Sequence, residues 1–177
     1  MTENTLEVID EVKNLQNCTR DAEGIVRTSM YCAAGLGIVP LPVFDLIGIT
    51  GIQIDMLRRL SNLYDVPFIE NTGKNVLGSL IGGGFSYSLA PVFASLVKFI
   101  PVVGSTLGAV SMPITAGATT YAVGRVFIQH FESGGTFLTF DPEAVREYYA
   151  SKLKEGNALM VKEKVPAPVI TTNMVKG

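Results

Sequence analysis

The chain has 177 residues, of which 47% are hydrophobic and 17% charged, and its formal net charge is −2. This length suits one domain with a tail, and the mean hydropathy of +0.34, with charges concentrated toward the two ends, favours a membrane protein over an ordinary soluble domain. Because the charge balance is slightly acidic and no basic run is longer than Arg58-Arg59, a nucleic-acid partner is excluded.

The first segment of the chain, residues 5–16, has apolar side chains at helical spacing between acidic ones. It predicts a short amphipathic helix within a separate N-terminal unit, residues 1–20. Helices that lie on lipid usually carry a basic polar face, so docking on a protein is the better interpretation of this acidic helix. Cys18 and Cys32 are expected to be reduced, since two cysteines make no disulfide framework and the acidic N-terminus does not resemble a signal peptide.

A helical hairpin is predicted over residues 22–64, with its turn at Pro40, Pro42 and Asp45. The prolines cannot continue the first helix, and the aspartate is favoured in the first turn of the second helix by the helix dipole. The uncharged part of the hairpin, residues 28–44, is too short for either arm to cross a bilayer of about 30 Å. This hairpin is therefore expected to be partly embedded or re-entrant.

The longest uncharged run covers residues 75–124 and contains only Lys98 as a charged residue. Since about twenty apolar residues suffice for one crossing, the run predicts two membrane-spanning helices that turn near Lys98 and Pro101. Small residues recur at every fourth position along this run and predict close helix packing within the bilayer. The predicted packing positions are Gly78, Gly82, Ser86, Ala90, Gly104, Gly108 and Gly124.

The residues after the run predict a cytoplasmic C-terminal unit, residues 133–177. Asp141 and Pro142 indicate the start of a last helix, Gly156 its end, and the remaining residues an extended tail. Basic residues flank the long run on both sides, so the positive-inside rule places both termini in the cytoplasm.

Motifs with catalytic chemistry are nearly absent. His130 is the single histidine, and no serine or cysteine lies in a nucleophile motif. The tripeptide Thr-Gly-Lys at residues 72–74 does not belong to a phosphate-binding loop, because Phe68 stands where the first glycine of that motif is required and Asn75 where Ser or Thr is required. No carboxylate cluster has metal-ligand spacing. We therefore expect no enzymatic activity, no metal and no cofactor.

Several widely spaced motifs between residues 24 and 132 occur together. They are IVPLP at 38–42 with Asp45-Leu46, then Gln53 and Tyr64, then Ile100-Pro101 with Gly104 and Gly108, and finally TYA at 120–122 with Gly124-Arg125. Together they resemble the YcjF-type domain, a bacterial family often fused to, or encoded beside, small dynamin-like or Era-like GTPases. The resemblance implies a membrane-associated helical fold in the bacterial inner membrane and a small GTPase as a partner. One departure is Asp65, where the family commonly has glycine.

The sequence thus predicts an all-α membrane domain, residues 21–132, in a self-associating scaffold protein anchored in a lipid bilayer. The predicted partner surface consists of Asp55, Arg58, Arg59 and Tyr148. Two alternatives remain open: a subunit of an oligomeric pore or transporter, and a soluble helical protein whose apolar run is buried in a large homo-oligomer.

Overall fold

A computed structural model describes residues 3–37, 44–84 and 105–163, which form five α-helices and no strand. The helices are α1 (Glu3–Leu36), α2 (Phe44–Leu63), α3 (Glu70–Gly84), α4 (Ser105–Glu132) and α5 (Arg146–Lys162). The all-α class is therefore confirmed for this part of the chain.

The central helix of the bundle is α4, which packs against α1, α2 and α5. α1 and α4 are antiparallel, because Thr19 lies opposite Glu132 while Gly37 lies opposite Pro113. The bundle therefore has two ends. We call them the Glu132 end, where Tyr64 of the chain segment after α2 also bonds to Glu132, and the Pro113 end.

Small residues on α4 allow its neighbours to approach closely. A Cβ atom on Gly124 would lie 2.5 Å from Val26 Cγ2 of α1 and 3.1 Å from the Met56 sulfur of α2. Gly117 makes a similar approach to Met160 of α5. Large side chains of the other helices thus fill the space above α4, and Val26 and Met56 are fully buried.

An aromatic cluster closes the Glu132 end. Phe127 stacks on Phe140 at a centroid distance of 4.9 Å, and Phe137 packs edge-on against Phe68 and Phe131. Each buried ring removes a large apolar area from water, so the cluster holds the segment between α4 and α5 against the bundle.

The helix predicted at residues 5–16 and the first arm of the hairpin predicted over residues 22–64 are one continuous helix, α1, so the break expected between them was wrong. No proline or glycine interrupts residues 17–20, and Cys18 and Thr19 bond to Leu63 and Glu132 at the level where the break was expected. A boundary after residue 20 would therefore lie inside a helix.

The last helix begins and ends later than predicted. Asp141 Oδ1 accepts the backbone N–H of Glu143 at 2.9 Å and caps only a turn, and α5 begins at Arg146. Gly156 does not end the helix but is buried inside it, where an added Cβ would lie 3.0 Å from Ala118 Cα. This glycine is explained by close packing of α5 on α4.

The prediction of a membrane-spanning hairpin over residues 75–124 was wrong for the last part of that run. Ala116, Ala118, Thr120, Ala122 and Val123 are buried inside the bundle by α1, α2 and α5, so protein and not lipid covers this part of the run. Among the residues described, no helix combines the length and the apolar character needed to cross a membrane.

Asp65 adopts φ 53°, in the left-handed region that glycine enters most easily. Aspartate tolerates this region better than most other side chains, since its short polar group can bond locally. The conformation explains why the resembling family commonly has glycine at this position.

The close approach at Gly156 predicts the effect of a single methyl group. Gly156→Ala should lower the free energy of unfolding by about 1–2 kcal/mol, because backbone atoms of Ala118 cannot move aside easily. Gly24→Ala, at a helical position with open space, should raise it by about 0.5–1 kcal/mol. Thermal unfolding followed by circular dichroism measures both, and equal shifts would contradict the packing described.

Candidate functional site

The Pro113 end of the bundle exposes large apolar side chains. Leu36, Ile47 and Met112 are 39%, 67% and 47% exposed. They lie close together, because a Cβ on Gly48 would contact Leu36 and a Cβ on Gly37 would contact Pro113. We call these three residues the apolar end patch.

The ends of several described helices lie at this same end. α1 ends here, and α2 and α4 begin here, as the contacts of Gly48 with Leu36 and of Gly37 with Pro113 show. α3 runs antiparallel to α2 toward this end, as shown by the contacts of Glu70 with Arg58 and of Gly73 with Ile54. Residues 38–43 and 85–104 lie outside the described structure, and Lys98 is their only charged residue.

The Glu132 end has a different character. Glu132 Oε1 accepts hydrogen bonds from Thr19 and Tyr64, both at 3.0 Å. α1 extends beyond this level without another described helix beside it, and its described side chains from Val8 to Asn17 are all exposed. A small apolar cavity of about 110 Å³ lies between residues 67–72 and 136–138.

The predicted partner residues lie in two separate places. Arg58 forms an ion pair with Glu70 at 3.7 Å and lies over the Phe68 ring at 5.4 Å. Asp55 and Arg59 are exposed on α2 and do not form the ion pair that their spacing allows. Tyr148 is half-buried on α5, where Lys152 Nζ lies 5.5 Å from its ring centroid. No hydrogen bond or ion pair joins Tyr148 to the three α2 residues within the described structure.

The predicted packing and turn positions fall in several environments. Gly124 lies where α1, α2 and α4 meet, whereas Gly78 is exposed with no neighbour within 4 Å of an added Cβ. Gly82 lies in α3, Gly108 in α4, and Asp45 in the first turn of α2. The remaining positions lie outside the described residues: Pro40, Pro42, Ser86, Ala90, Pro101 and Gly104.

A charged cleft of about 250 Å³ lies between α1, α4 and α5. Arg125 of α4 donates to Glu23 of α1 at 2.6 Å, and Tyr121 of α4 donates to Glu155 of α5. Glu155 also accepts Lys152 Nζ at 2.6 Å. These bonds connect three helices across a polar gap.

The bonds in the cleft shift the pKa values of the two groups that meet there. Hydrogen bonds from Lys152 and from Tyr121 lower the pKa of the Glu155 carboxyl. Burial, and then the hydrogen bond to Glu155, raise the pKa of Tyr121 to about 12. At neutral pH the pair is therefore an ionised carboxylate and a neutral phenol.

A second bond set extends this connection along α1. Glu163, just after α5, accepts a hydrogen bond from Tyr31 and pairs with Arg27 at 3.4 Å. Pairing side chains from α1 and α5 in this way positions the end of α5 beside the last third of α1.

The described residues show little that could perform catalysis. His130 Nε2 bonds to the Thr136 carbonyl oxygen at 2.9 Å, and its ring packs edge-on against Phe140. Cys18 and Cys32 are free thiols. No group of three or more His, Cys, Asp or Glu side chains in the described ranges could hold a metal ion.

The charged cleft and the apolar end patch were not predicted from the sequence. Glu23, Arg125 and Glu155 are far apart in the chain, and only the helix arrangement brings them together. The TYA and Gly124-Arg125 motifs were noted, and their residues Tyr121 and Arg125 are the part of this cleft that a sequence signal could have found.

The bonds of Glu155 predict a pH-dependent contribution to stability. Glu155→Gln should lower the free energy of unfolding at pH 7 by about 0.5–1 kcal/mol, a value kept small because the carboxylate is partly exposed. Its pKa is lowered in the folded state, so this stability is complete above the ordinary glutamate pKa of about 4.3 and is lost as the pH falls through the folded-state value.

Denaturant unfolding at several pH values measures this difference. Asp55→Asn, at an exposed carboxylate inside α2 that forms no ion pair within the described residues, is the control and should change stability little. A wild-type advantage over Glu155→Gln that stayed constant down to pH 3 would contradict the assignment.

Comparison with known proteins gives one family and one curated relative. Residues 2–155 match a family described as a domain of unknown function, DUF697. The chain is 43% identical over 144 residues to magnetosome membrane protein 22 of Magnetospirillum gryphiswaldense, an alignment that covers 81% of this chain and 74% of the relative. No solved structure matches. The match over most of its length shows that the chain belongs to the DUF697 family.

Proposed function

We propose that this protein is a membrane-anchored scaffold whose helical bundle stays on the cytoplasmic face of a bacterial inner membrane. The observation that carries the proposal is the apolar end patch, which lies where α1 ends and α2 and α4 begin. The sequence between α3 and α4, in which Lys98 is the only charged residue, supports it. The relative named as a magnetosome membrane protein supports a membrane location.

The anchor that we propose is the stretch 82–111, in which Lys98 is the only charged residue. Its two flanking helices, α3 and α4, meet the same end of the bundle, so the stretch must leave and return on one side. Two full crossings need about forty residues, and this stretch has about thirty. If each half is helical, each arm is about 22 Å long, which is shorter than the hydrocarbon thickness of about 30 Å. A hairpin that enters the bilayer and returns without crossing fits this length better than the two full crossings expected from residues 75–124.

The charged residues agree with a cytoplasmic bundle. Arg27, Arg58, Arg59, Arg125 and Lys152 all belong to the described helices, and the positive-inside rule places such residues on the cytoplasmic side. Both termini are then cytoplasmic.

We further propose that the bundle recruits a protein partner, and that it has no catalytic activity of its own. Asp55 and Arg59 support a partner surface on α2, because both are exposed and neither is used in an ion pair within the described part. The partner class that the YcjF-type resemblance implies is a small GTPase. Exposed Gly78 leaves room for close approach of a second copy, which supports self-association.

The pore alternative has less support. Thr120, one of the few polar residues of the long run, is fully buried and accepts a hydrogen bond from Gln53 at 3.2 Å. Thr119 donates to the Thr115 carbonyl oxygen within α4 at 2.7 Å. The Thr120 hydroxyl is therefore used inside the bundle, and the Thr119 hydroxyl bonds within its own helix.

The proposed anchor predicts resistance to alkaline extraction. The full-length protein should remain with membranes in carbonate and dissolve in detergent. Phe93→Asp with Phe99→Asp should release it, since each charge near the bilayer centre costs at least about 3 kcal/mol. Ile69→Asp with Leu138→Asp, at exposed positions of the Glu132 end, is the matched control and should remain bound. Equal release of both double variants would contradict the anchor.

The proposed orientation predicts which end meets lipid. In a Cys18→Ser, Cys32→Ser background, an environment-sensitive dye attached through Ile47→Cys should shift to the blue in phosphatidylcholine–phosphatidylglycerol vesicles and be quenched by spin-labelled lipid. The same dye attached through Leu138→Cys should do neither, although Leu138 is even more exposed, at 81% against 67%. Quenching at position 138 alone would reverse the orientation.

A further inference from the structure

The first part of α1, residues 3–17, projects past the Glu132 end. We call it the α1 arm; at 1.5 Å per residue it is about 22 Å long. Val8, Val12 and Leu15 are 53%, 46% and 63% exposed. The α1 arm, at the opposite end of α1 from the apolar end patch, therefore carries an exposed apolar stripe.

This stripe continues the buried face of α1. Val8, Val12 and Leu15 are followed at the same three- and four-residue spacing by Thr19 and Ala22 and then by Val26, which is fully buried against α4. One face of one helix is thus covered by helices in its second half and uncovered in its first half. A helical partner would extend the same packing along the arm.

The charges of the arm indicate the chemistry of that partner. Residues 3–17 contain four acidic residues and one lysine. Lys13 pairs with Asp10 at 3.9 Å, and the four carboxylates and one lysine give the arm a net charge of −3. A second copy would bring the same negative charge to the same interface, and a lipid surface favours basic helices.

We propose that the α1 arm is a docking site for an amphipathic helix of another protein, with an apolar stripe flanked by Lys or Arg. The apolar stripe provides binding energy, and the net negative charge of the arm selects basic helices. This inference extends the proposed scaffold function to a second surface, separate from Asp55 and Arg59, and it rests on that function only for the arm lying on the water side.

The test uses two labelled synthetic helical peptides with the same leucine stripe, one flanked by lysines and one by glutamates. Fluorescence anisotropy with the full-length protein in detergent should show binding of the basic peptide, weakened by added salt, and none of the acidic peptide. The basic peptide should bind Val12→Ser, Leu15→Ser at least about tenfold more weakly, because two apolar contacts are lost. Asn14→Ser, Asn17→Ser, on the opposite side of the arm, is the matched control and should bind like wild type.

Three outcomes would overturn the proposal. They are equal binding of both peptides, equal affinity of the two double variants, and a larger detergent-solubilised species for wild type than for Val12→Ser, Leu15→Ser, which would assign the stripe to a second copy. Because none of these measurements uses a bilayer, they fail or succeed independently of the dye experiment at positions 47 and 138. Thermal unfolding of each variant confirms that the bundle is intact.

Discussion

The structure depends on how closely other helices can approach α4. Gly117 and Gly124 let α5 and α1 pack almost onto its backbone, and Gly156 lets α5 return the same contact. Dense packing over these glycines buries Val26, Met56 and Met160 almost completely. Only 17% of the residues are charged, so the fold depends on close packing between complementary helix surfaces more than on the contrast between a polar surface and an apolar core.

The two ends of the bundle differ as a consequence of this packing. At the Pro113 end, where α1 ends and α2 and α4 begin, the apolar end patch is exposed. At the Glu132 end an aromatic cluster closes the core, and Glu132 bonds to two neighbouring segments. The charged cleft on the side of the bundle joins α5 to α1 and α4 through Arg125 and Glu155. An anchor at the Pro113 end, as proposed, would hold the Glu132 end and the α1 arm beyond it away from a bilayer.

The uncharged run 75–124 shows how a lipid-facing helix and a buried core helix can have the same sequence pattern. Both lack charges, and both use small residues at four-residue spacing for close helix contact. Gly124 makes such a contact, but with Val26 and Met56 of the same bundle. Sequence spacing predicts that a surface will be covered, and it does not identify what covers it.

The sequence by itself determined the all-α class of the described residues and the start of a helix just after Pro42. Both follow from local properties, namely apolar periodicity and proline positions. Only the tertiary structure decided that α1 is continuous, that Gly156 lies inside a helix, and that Glu23, Arg125 and Glu155 share one cleft. The physical reason is that these features depend on contacts between helices distant in the chain, where the neighbouring helix decides whether a glycine ends a helix or packs inside one.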